Sequence, residues 1–361
     1  TNTLPPDDFI RRFGEQGRFA APALRALDSL RLRRRLNALG VASHAPDGWH
    51  VFPVCESARV VRDALLRACR ERGVVLRCRT PVRSLLLAGG RAAGVRTAAG
   101  PEPASAVILA AGGAACPRLG GSGAGYDLAR QVGHSITPLW PALAPLVVRE
   151  PWPGTLTGVS LPRARVQLPG DRGWAGAAPG GLVFTHRGLS GPAALDVAGR
   201  VAEALAQRGA VALRLDLDPD RTEDAWRLFW QRVRSEHGAR RVSAALAERV
   251  PDSVARALMA TARVPAAAAA AELSRGLIDA LSATIKQAAL TATGTEGFGK
   301  AMATRGGVAR DEVEPRTLES RRTPGLYLAG EILDVVGPCG GFNLHWALAS
   351  GHLAGTLRGG A

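Results

Sequence analysis

The stretch from Gly325 to Gly351 constrains the fold of this chain more than any other part of it. It reads GLYLAGEILDVVGPCGGFNLHWALASG and has three parts. The first is an apolar run of strand length, Leu326 to Ala329. The second is a loop that opens at Gly330 and closes with Gly340-Gly341, and the third has apolar residues at helical spacing. The pattern predicts a strand, a glycine-rich turn and a helix.

A helix that starts at glycines exposes its backbone N–H groups and the positive end of its dipole, which suits a negatively charged or electron-rich ligand group. Glu331 follows the predicted strand. Its carboxylate could accept hydrogen bonds from two neighbouring hydroxyls of a sugar or ribityl chain, as an acidic residue does in dinucleotide sites. From the spacing alone, a nucleotide-type site and a plain structural turn both stay open.

The composition is that of an ordinary globular protein. The chain has 361 residues, of which 46% are hydrophobic and 21% charged, and this length suffices for two or three domains. No apolar run approaches membrane-spanning length, and the first residues, TNTLPPDDFIRR, lack the layout of a secretory signal. We therefore expect a cytoplasmic protein with no membrane segment.

The cysteines argue against several kinds of site. They are scattered, odd in number and form no CxxC pair: Cys55, Cys69, Cys78, Cys116 and Cys339. Such spacing does not favour a disulfide framework, a zinc site or a dithiol redox centre. We expect no metal.

The formal net charge of +15 is carried almost entirely by arginine, because lysine occurs only at positions 286 and 300. The densest cluster runs from Arg31 to Arg35. It can be interpreted as a solvated helix face or as an RNA patch. We favour the solvated face and do not expect nucleic acid as a partner. The charge also predicts attraction to anionic ligands, including a nucleotide cofactor.

The order of predicted elements indicates a doubly wound α/β fold whose crossover is made of strands. Residues up to Pro46 have helical spacing, and a helix is predicted from Ser57 to Arg72. A glycine-rich turn, Gly120 to Gly125, precedes another predicted helix from Tyr126 to Gly133. Between these helices lie four strand-like runs, namely Val74 to Cys78, Val82 to Leu87, Ala92 to Thr97 and Val107 to Ala111. The fourth is apolar throughout and ends in glycine, where ligands collect in such folds.

The middle of the chain is predicted to be a β-rich insertion with a helical subdomain. Its predicted strands are Thr155 to Val159, Arg163 to Leu168, Gly181 to Thr185, Val211 to Leu217 and Thr284 to Thr293. We place the first part of the ligand-binding domain at residues 1–147 and its C-terminal part at 304–361. The β-rich domain takes 148–220 and 284–303, and the helical subdomain takes 221–283.

Three stretches carry a resemblance to a known family. They read AAGGAACPRLGGSGAGYDLARQVGHSITPLWPALAPL, FTHRGLSGPAAL and TRGGVARDEVEPRTLESRRTPGLYLAGEILDVVGPCGGFNLHWALASG. In these stretches the chain resembles the BaiN-like flavoproteins, also called aminoacetone oxidase family FAD-binding enzymes. The resemblance implies an α/β, Rossmann-like, two-dinucleotide-type FAD-binding fold. It also implies an inserted β-barrel-like domain that itself carries a helical subdomain.

One feature of that family is missing from the sequence. Family members begin with a strand, a GxGxxG turn and a helix that hold the FAD pyrophosphate, and then reach a segment ending in an Asn-x-Thr-Asn-like sequence. This sequence starts with Thr1-Asn2, which matches the tail of that segment, and no other GxGxxG replaces the opening. We therefore expect an FAD-binding fold that is incomplete at the N-terminus.

The resemblance also implies a set of cofactor-binding residues. Val82 matches the position whose backbone meets the adenine. The other matches lie under the cofactor, near the ribityl and phosphate chain, and at the pyrimidine side of the flavin; they are Ala111, Gly112, Gly113, Gly330, Glu331, Gly341, Phe342, Asn343 and Leu344.

The predicted activity is that of an FAD-dependent oxidoreductase, with hydride transfer between a small organic substrate and the flavin, and with oxygen or NAD(P) as the second redox partner. We expect the inserted domain to cover the substrate face, with His186 as the first catalytic candidate. Arg305 could hold an anionic substrate or the flavin carbonyl, while His345 and Cys339 flank the cofactor helix. Two alternatives stay open: an RNA-associated flavoprotein, and an inert fragment of a flavoenzyme. The oligomeric state is undecided.

Overall fold

The chain folds into two units, one of which interrupts the other. The computed structural model describes residues 1–170, 173–176 and 178–356. Unit 1 comprises Thr1–Trp140 and the chain from Ala303 onward, and unit 2 comprises Pro141–Met302. The finer division into five segments that we drew from the sequence stays a prediction. Within the described residues, no helix is both long and apolar enough to cross a membrane.

The elements are numbered in chain order. The helices are α1 (Pro6–Arg11), α2 (Gly17–Ala26), α3 (Ser29–Ala38), α4 (Ala58–Glu71), α5 (Ala124–Gln131), α6 (Pro192–Arg208), α7 (Glu223–Glu236), α8 (Val242–Ala247), α9 (Asp252–Thr261), α10 (Arg275–Gln287) and α11 (Phe342–Ala354). The strands are β1 (Ser43–His44), β2 (Phe52–Pro53), β3 (Ser84–Ala88), β4 (Arg91–Thr97), β5 (Gly100–Pro103), β6 (Val107–Leu109), β7 (Trp140–Ala142), β8 (Leu146–Val148), β9 (Ser160–Gly170), β10 (Gly173–Gly176), β11 (Gly180–Thr185), β12 (Gly188–Ser190), β13 (Val211–Asp216), β14 (Ala288–Thr295), β15 (Ala303–Arg305) and β16 (Leu326–Leu328).

The centre of unit 1 is a parallel pair of strands, β6 and β16. Leu326 pairs with Val107, and Leu328 pairs with Leu109. Leu109, Leu326 and Leu328 are buried in the core of the unit. The antiparallel meander β3-β4-β5 precedes β6 in the chain, and β3, β4 and β6 overlap three of the strand-like runs that the sequence predicts.

Helices α2 and α11 pack against each other beside this pair. An aromatic cluster joins α11 to the start of the chain, with 4.5 Å between the ring centroids of Phe9 and Phe342 and 5.9 Å between those of Phe13 and Phe342. Such pairs add to the stabilisation that comes from burial alone. Contacts with Phe9 and Phe13 therefore hold the first turn of α11 in place.

Unit 2 contains a closed ring of antiparallel strands. In the described residues the order is β9-β11-β12-β8-β14-β13, and β13 pairs again with β9. Closure removes exposed strand edges. Helix α6 contacts every strand of this ring, and helices α7 to α10 lie between β13 and β14 in the chain. This is the inserted β-barrel-like domain with its helical part.

Two strand predictions were wrong. The run Val74 to Cys78 is irregular, and no strand pairs with it in the described part of the chain. Val75 is 77% exposed, so the apolar run has neither a partner strand among the described residues nor a core to cover it, and both are needed for a strand. The run Thr155 to Val159 forms a turn around Gly154–Leu156, because Pro153 and Gly158, which has φ of 85°, favour turns.

Some helix and strand boundaries also differ from the predicted ones. The strand predicted from Thr284 begins only at Ala288, because α10 continues to Gln287. The first residues of that run complete the buried side of α10, where Leu281 and Ile285 are fully buried. Tertiary packing therefore overrides the β-propensity of threonine and isoleucine at these positions.

A buried polar network ties α5 to the segment before β16. The His134 Nδ1 atom lies 2.9 Å from Glu312 Oε2, and its Nε2 atom lies 2.8 Å from Ser320 Oγ. The backbone N–H of Ser135 and the guanidinium of Arg322 donate to Glu312 at 2.9 and 2.6 Å. Burial lowers the pKa of His134, although Glu312 opposes this shift. Burial disfavours the charged form of Glu312, but these hydrogen bonds outweigh it and lower its pKa to about 2.

Both folded-state pKa values lie below their unfolded values, so the unfolded chain binds more protons in acid. The stabilisation from this network is present at neutral pH. We expect it to decline as the pH falls below the ordinary histidine value of about 6.5 and to decline further through the range in which Glu312 takes up its proton. Urea unfolding between neutral and acidic pH measures this decline.

Replacing Glu312 by Ala leaves the N–H groups of His134 and Ser135 without their acceptor. We expect the free energy of unfolding at neutral pH to fall by about 1–3 kcal/mol. The exposed neighbour Asp311 provides the control variant, Asp311→Ala, which should change stability little. Equal stability of the two variants would contradict a stabilising role for the network.

Candidate active site

The carboxyl ends of β6 and β16 meet at one edge of the sheet because the two strands are parallel. The segment Ala111 to Gly113 follows β6, and the turn Gly330–Ile332 follows β16. The structure therefore brings together two segments that the sequence predicts to be cofactor-binding, more than 200 residues apart in the chain. Ligands bind at this edge in open α/β folds.

Gly113 lies against a polar cluster that leaves no room for a side chain. A Cβ atom at this position would overlap Glu331 Oε1 and would lie 2.5 Å from Thr304 Oγ1. At Gly112, which has φ of 72°, a Cβ would meet nothing within 4 Å. Gly113 is required by the protein's own packing. Gly112 has open space beside it, and a ligand can approach its backbone closely there.

Thr304 is the hub of this cluster. Its hydroxyl accepts hydrogen bonds from the N–H groups of Ala114 and Ala115 at 2.9 and 3.0 Å. Its own N–H donates to Glu331 Oε1 at 2.9 Å. Thr304 is fully buried, so these bonds satisfy backbone groups that have no access to water. Through its side chain and its backbone N–H, Thr304 thus fixes the loop after β6 relative to the turn after β16.

Glu331 is half-buried, and burial raises the pKa of its carboxyl, while the hydrogen bonds from Thr304 oppose the shift. Tyr126 lies buried nearby on α5, and burial together with the negative charge of Glu331 raises the pKa of its hydroxyl. The phenol therefore stays protonated at neutral pH. The Glu331 oxygen that does not bind Thr304 is the acceptor that this cluster can offer to a ligand hydroxyl.

The turn after β16 is anchored to α11. The N–H of Gly330 donates to Ser350 Oγ at 2.9 Å, and the indole N–H of Trp346 donates to the Gly330 carbonyl at 3.1 Å. Gly330 has φ of 78°, a conformation that favours glycine. The turn and the helix therefore behave as one rigid piece of the site.

The start of α11 presents free backbone donors. The N–H of His345 is the first to bond within the helix, to the Gly341 carbonyl at 3.2 Å, so the N–H groups of Phe342, Asn343 and Leu344 precede the first helical bond. The Asn343 side chain is hydrogen-bonded within the protein. Its Oδ1 accepts from the Gly337 N–H at 2.8 Å, and its Nδ2 donates to the Gly337 carbonyl at 2.9 Å.

His345 is neutral and structural. Its Nε2 lies 2.7 Å from the Leu27 carbonyl, which can only accept, so Nε2 carries the proton. Its Nδ1 lies 2.6 Å from the Thr1 hydroxyl, which donates to it. Burial lowers the pKa of His345 to about 4. Both ring nitrogens are occupied, and this excludes the general acid–base role that a free histidine could take.

The remaining predicted residues lie in varied surroundings. Val82 is in the irregular segment before β3 and is 37% exposed. Leu344 is 74% exposed on the first turn of α11. Arg305 is half-buried at the end of β15, and Cys339 is half-buried in the loop before α11. His186 belongs to unit 2, exposed on the turn between β11 and β12.

Sequence reasoning missed several residues that build the site: Tyr126, Thr304, Trp346 and Ser350. Thr304 lies in TRGGV beside Arg305, the residue of this motif selected from the sequence as a possible ligand contact. Its role depends on three segments that meet only in the folded chain. The signal that the sequence offers is the glycine pair Gly112-Gly113, which indicates that another group approaches the backbone closely at this point.

We expect Thr304→Val to leave two buried N–H groups without an acceptor, because the substitution keeps the shape of the side chain but removes the hydroxyl. The expected loss in the free energy of unfolding is about 1–3 kcal/mol. Thr304→Ser keeps the hydroxyl and should lose much less. Urea unfolding of both variants measures the difference, and an equal loss would show that packing, not hydrogen bonding, accounts for the effect.

A family model and several known proteins match most of this chain. Residues 1–357 match the family described as HI0933-like protein Rossmann domain. The 3-dehydro-bile acid delta(4,6)-reductase of Clostridium scindens is 31% identical over 95% of this chain and 83% of that protein. The ribosomal RNA dihydrouridine synthase of Escherichia coli is 30% identical over 87% of this chain and 75% of that protein. A chain of E. coli quinol fumarate reductase has a TM-score of 0.48 at 14% identity, covering 99% of this chain and 60% of that one, a likeness too low to carry an argument.

The family match spans nearly the whole chain, and the bile acid reductase is similar over most of its own length. The predicted resemblance to the BaiN-like flavoproteins is confirmed, as is the α/β fold class with its Rossmann-type domain. The chain belongs to the HI0933-like Rossmann-domain family, and it is an enzyme of the flavin-dependent oxidoreductase type.

Proposed function

We propose that this protein is an FAD-dependent oxidoreductase that transfers a hydride between a small organic substrate and the flavin. The observation that carries the proposal is the sheet edge at Gly112, Gly330 and Glu331. Gly112 has a positive φ and open space beside its backbone, and the half-buried carboxylate of Glu331 lies next to it, in the turn that follows β16. A dinucleotide with hydroxyl groups and an electron-rich ring fits these donors and acceptors.

The residues present suit such a cofactor. The backbone of Ala111 to Gly113 would allow its close approach, and the available oxygen of Glu331 would accept from its ribityl or ribose hydroxyls. The N–H groups at the start of α11 would stabilise an electron-rich group of the cofactor, since the side chains of Asn343 and His345 are hydrogen-bonded within the protein. The chemistry that a bound flavin would supply is hydride transfer.

We propose oxygen or NAD(P)H as the second redox partner, with NAD(P)H binding transiently. The name of the bile acid relative describes a reductase, which supports a small organic substrate. Val82 as an adenine contact and His186 as a substrate-side residue remain proposals. The position of His186 on an exposed turn makes it accessible for mutation without disturbing the core.

The second candidate function is that of a flavoprotein that acts on RNA. It is favoured by one specific observation: two similar proteins are named ribosomal RNA dihydrouridine synthases, from E. coli and from Haemophilus influenzae, the latter 29% identical over 68% of this chain and 58% of that protein. The net charge of +15 supports it as well. Retention of RNA that weakens steeply as salt is added tests this candidate, and the absence of binding at low salt would exclude it.

Purified protein should be yellow and should release FAD on denaturation. If it is colourless, it should take up added FAD with quenching of flavin fluorescence. A protein that does neither would contradict the proposed function.

Glu331→Gln tests the cofactor site. The amide keeps the shape but replaces a charged acceptor by a weaker neutral one, and hydrogen bonds to charged groups contribute about 1.5–3 kcal/mol. We expect FAD to bind at least about tenfold more weakly. Flavin fluorescence titration measures this change. The control is the exposed Glu15→Gln, which should bind as the unmodified protein does; equal affinities for both variants would remove Glu331 from the site.

A further inference from the structure

We propose that the exposed arginine face of α2 and α3 binds the phosphates of RNA and leads the strand towards the start of α11. We call this face the basic surface; it consists of Arg18, Arg25, Arg31, Arg34 and Arg35. The proposal rests on the second candidate function, in which RNA is the substrate, and gives it a location on the protein.

The positive charge of unit 1 is greater in its N-terminal part than in its C-terminal part. From Arg11 to Arg35 the sequence has eight arginines against two acidic residues, Glu15 and Asp28. From residue 303 to residue 356 it has five arginines against six acidic residues. A general arginine bias of the whole sequence would raise both segments alike. The segment from Arg59 to Arg83 has the same excess, eight arginines against Asp63 and Glu71, so the basic surface is one of two strongly basic segments in the N-terminal part of unit 1.

The arginines of α3 form one exposed face. Leu32 is 5% exposed and faces the core, whereas Arg31, Arg34 and Arg35 are all exposed. Positions separated by three and four residues are neighbours on a helix, and like charges at this spacing destabilise it. Asp28 lies next to this face; it caps the helix by accepting from the Arg31 N–H at 2.8 Å and lies 3.6 Å from the Arg31 guanidinium. Helix stability does not account for this choice of residues.

The face continues onto α2. The Arg31 guanidinium donates to the Arg25 carbonyl at 3.1 Å, so the end of α2 and the start of α3 are adjacent. Arg18 and Arg25 are both exposed. Arg25 has an ion pair with Asp7 at 3.0 Å, with both side chains mostly exposed. Such exposed pairs are weak and break readily in favour of a phosphate. The surface thus extends over two helices.

The basic surface begins beside the candidate active site. The hydroxyl of Ser29, the first residue of α3, donates to the Asn2 carbonyl, and the Asn2 side chain donates to the Gly340 carbonyl at 2.9 Å. Gly340 belongs to the turn at which α11 starts. Near the other end of α3, Arg35 lies 3.1 Å from His352 on α11. The arginines therefore follow α11 over about 15 Å, at a rise of about 1.5 Å per residue from its first turn.

RNA fits this surface better than a lipid bilayer does. A helix that lies on a membrane needs a broad exposed apolar face, but Leu32 is buried and Leu36 is partly buried against the core. Leu30 alone among the leucines of α3 is strongly exposed, at 55%. Arginine guanidinium groups bind phosphates with two parallel hydrogen bonds. The chemistry is therefore that of contact with a phosphodiester chain.

The test compares RNA binding by the protein and by the triple variant Arg31→Gln, Arg34→Gln, Arg35→Gln. The probe is a fluorescent single-stranded RNA of mixed sequence, titrated at several salt concentrations. We expect the variant to bind at least about tenfold more weakly at low salt. The slope of log affinity against log salt should become shallower by about 2, as three fewer phosphate contacts imply for a single strand.

A matched control removes the same charge elsewhere. Arg208, Arg249 and Arg275 of unit 2 are exposed, and their joint replacement by Gln should leave RNA affinity within about twofold and the salt slope unchanged. Equal losses in both triple variants would mean that only net charge matters and would overturn the proposal. So would an unchanged affinity in the α3 variant.

Two further measurements distinguish failure of the flavin function from failure of the RNA assignment. FAD uptake should be equal in the unmodified protein and both triple variants, since none of these arginines belongs to the cofactor site. Loss of FAD binding in all three would contradict the flavin function while leaving the RNA result valid. Stronger binding to anionic phospholipid vesicles than to RNA, or a marked preference for DNA of the same sequence, would overturn the assignment of RNA as the partner.

Discussion

The parallel pairing of β6 with β16 is the interaction on which the site depends. It brings the ends of two distant segments to one edge, where backbone groups leave the sheet and need new partners. Thr304 and Glu331 supply those partners and in doing so require glycine at position 113. A side-chain-free surface beside a carboxylate is the result. The geometry that suits a dinucleotide is thus a by-product of satisfying the protein's own hydrogen bonds.

A second consequence concerns α11. Most polar side chains near its start serve the fold: Asn343 closes the preceding loop, His345 bonds to Leu27, and Trp346 and Ser350 hold the Gly330 turn. What remains for a ligand is the backbone itself. Donors of this kind are fixed in direction and carry no titratable proton, so they stabilise negative charge on a ring without changing with pH. This property suits a redox cofactor whose charge changes during turnover.

Positive charge is distributed unevenly within unit 1. The candidate cofactor edge is nearly free of positive side chains among the residues that build it, whereas α2 and α3 carry exposed arginines. His352 beside Arg35 does not add to that charge, because burial and the neighbouring guanidinium lower its pKa. A small substrate needs only the edge. A polyanionic substrate would use both, and the relatives include proteins named for each kind of substrate.

The sequence by itself determined the strand, turn and helix around Gly330, the meander before β6, and the inserted β-rich region, because each rests on local periodicity and glycine placement. The family resemblance supplied the expected cofactor and its residues. Only the tertiary structure decided that Val74 to Cys78 is not a strand, that Asn343 is occupied by its own loop, and that Thr304 joins three segments. These outcomes depend on partners far away in the chain, and burial and hydrogen bonding between distant residues leave no periodic signal in sequence.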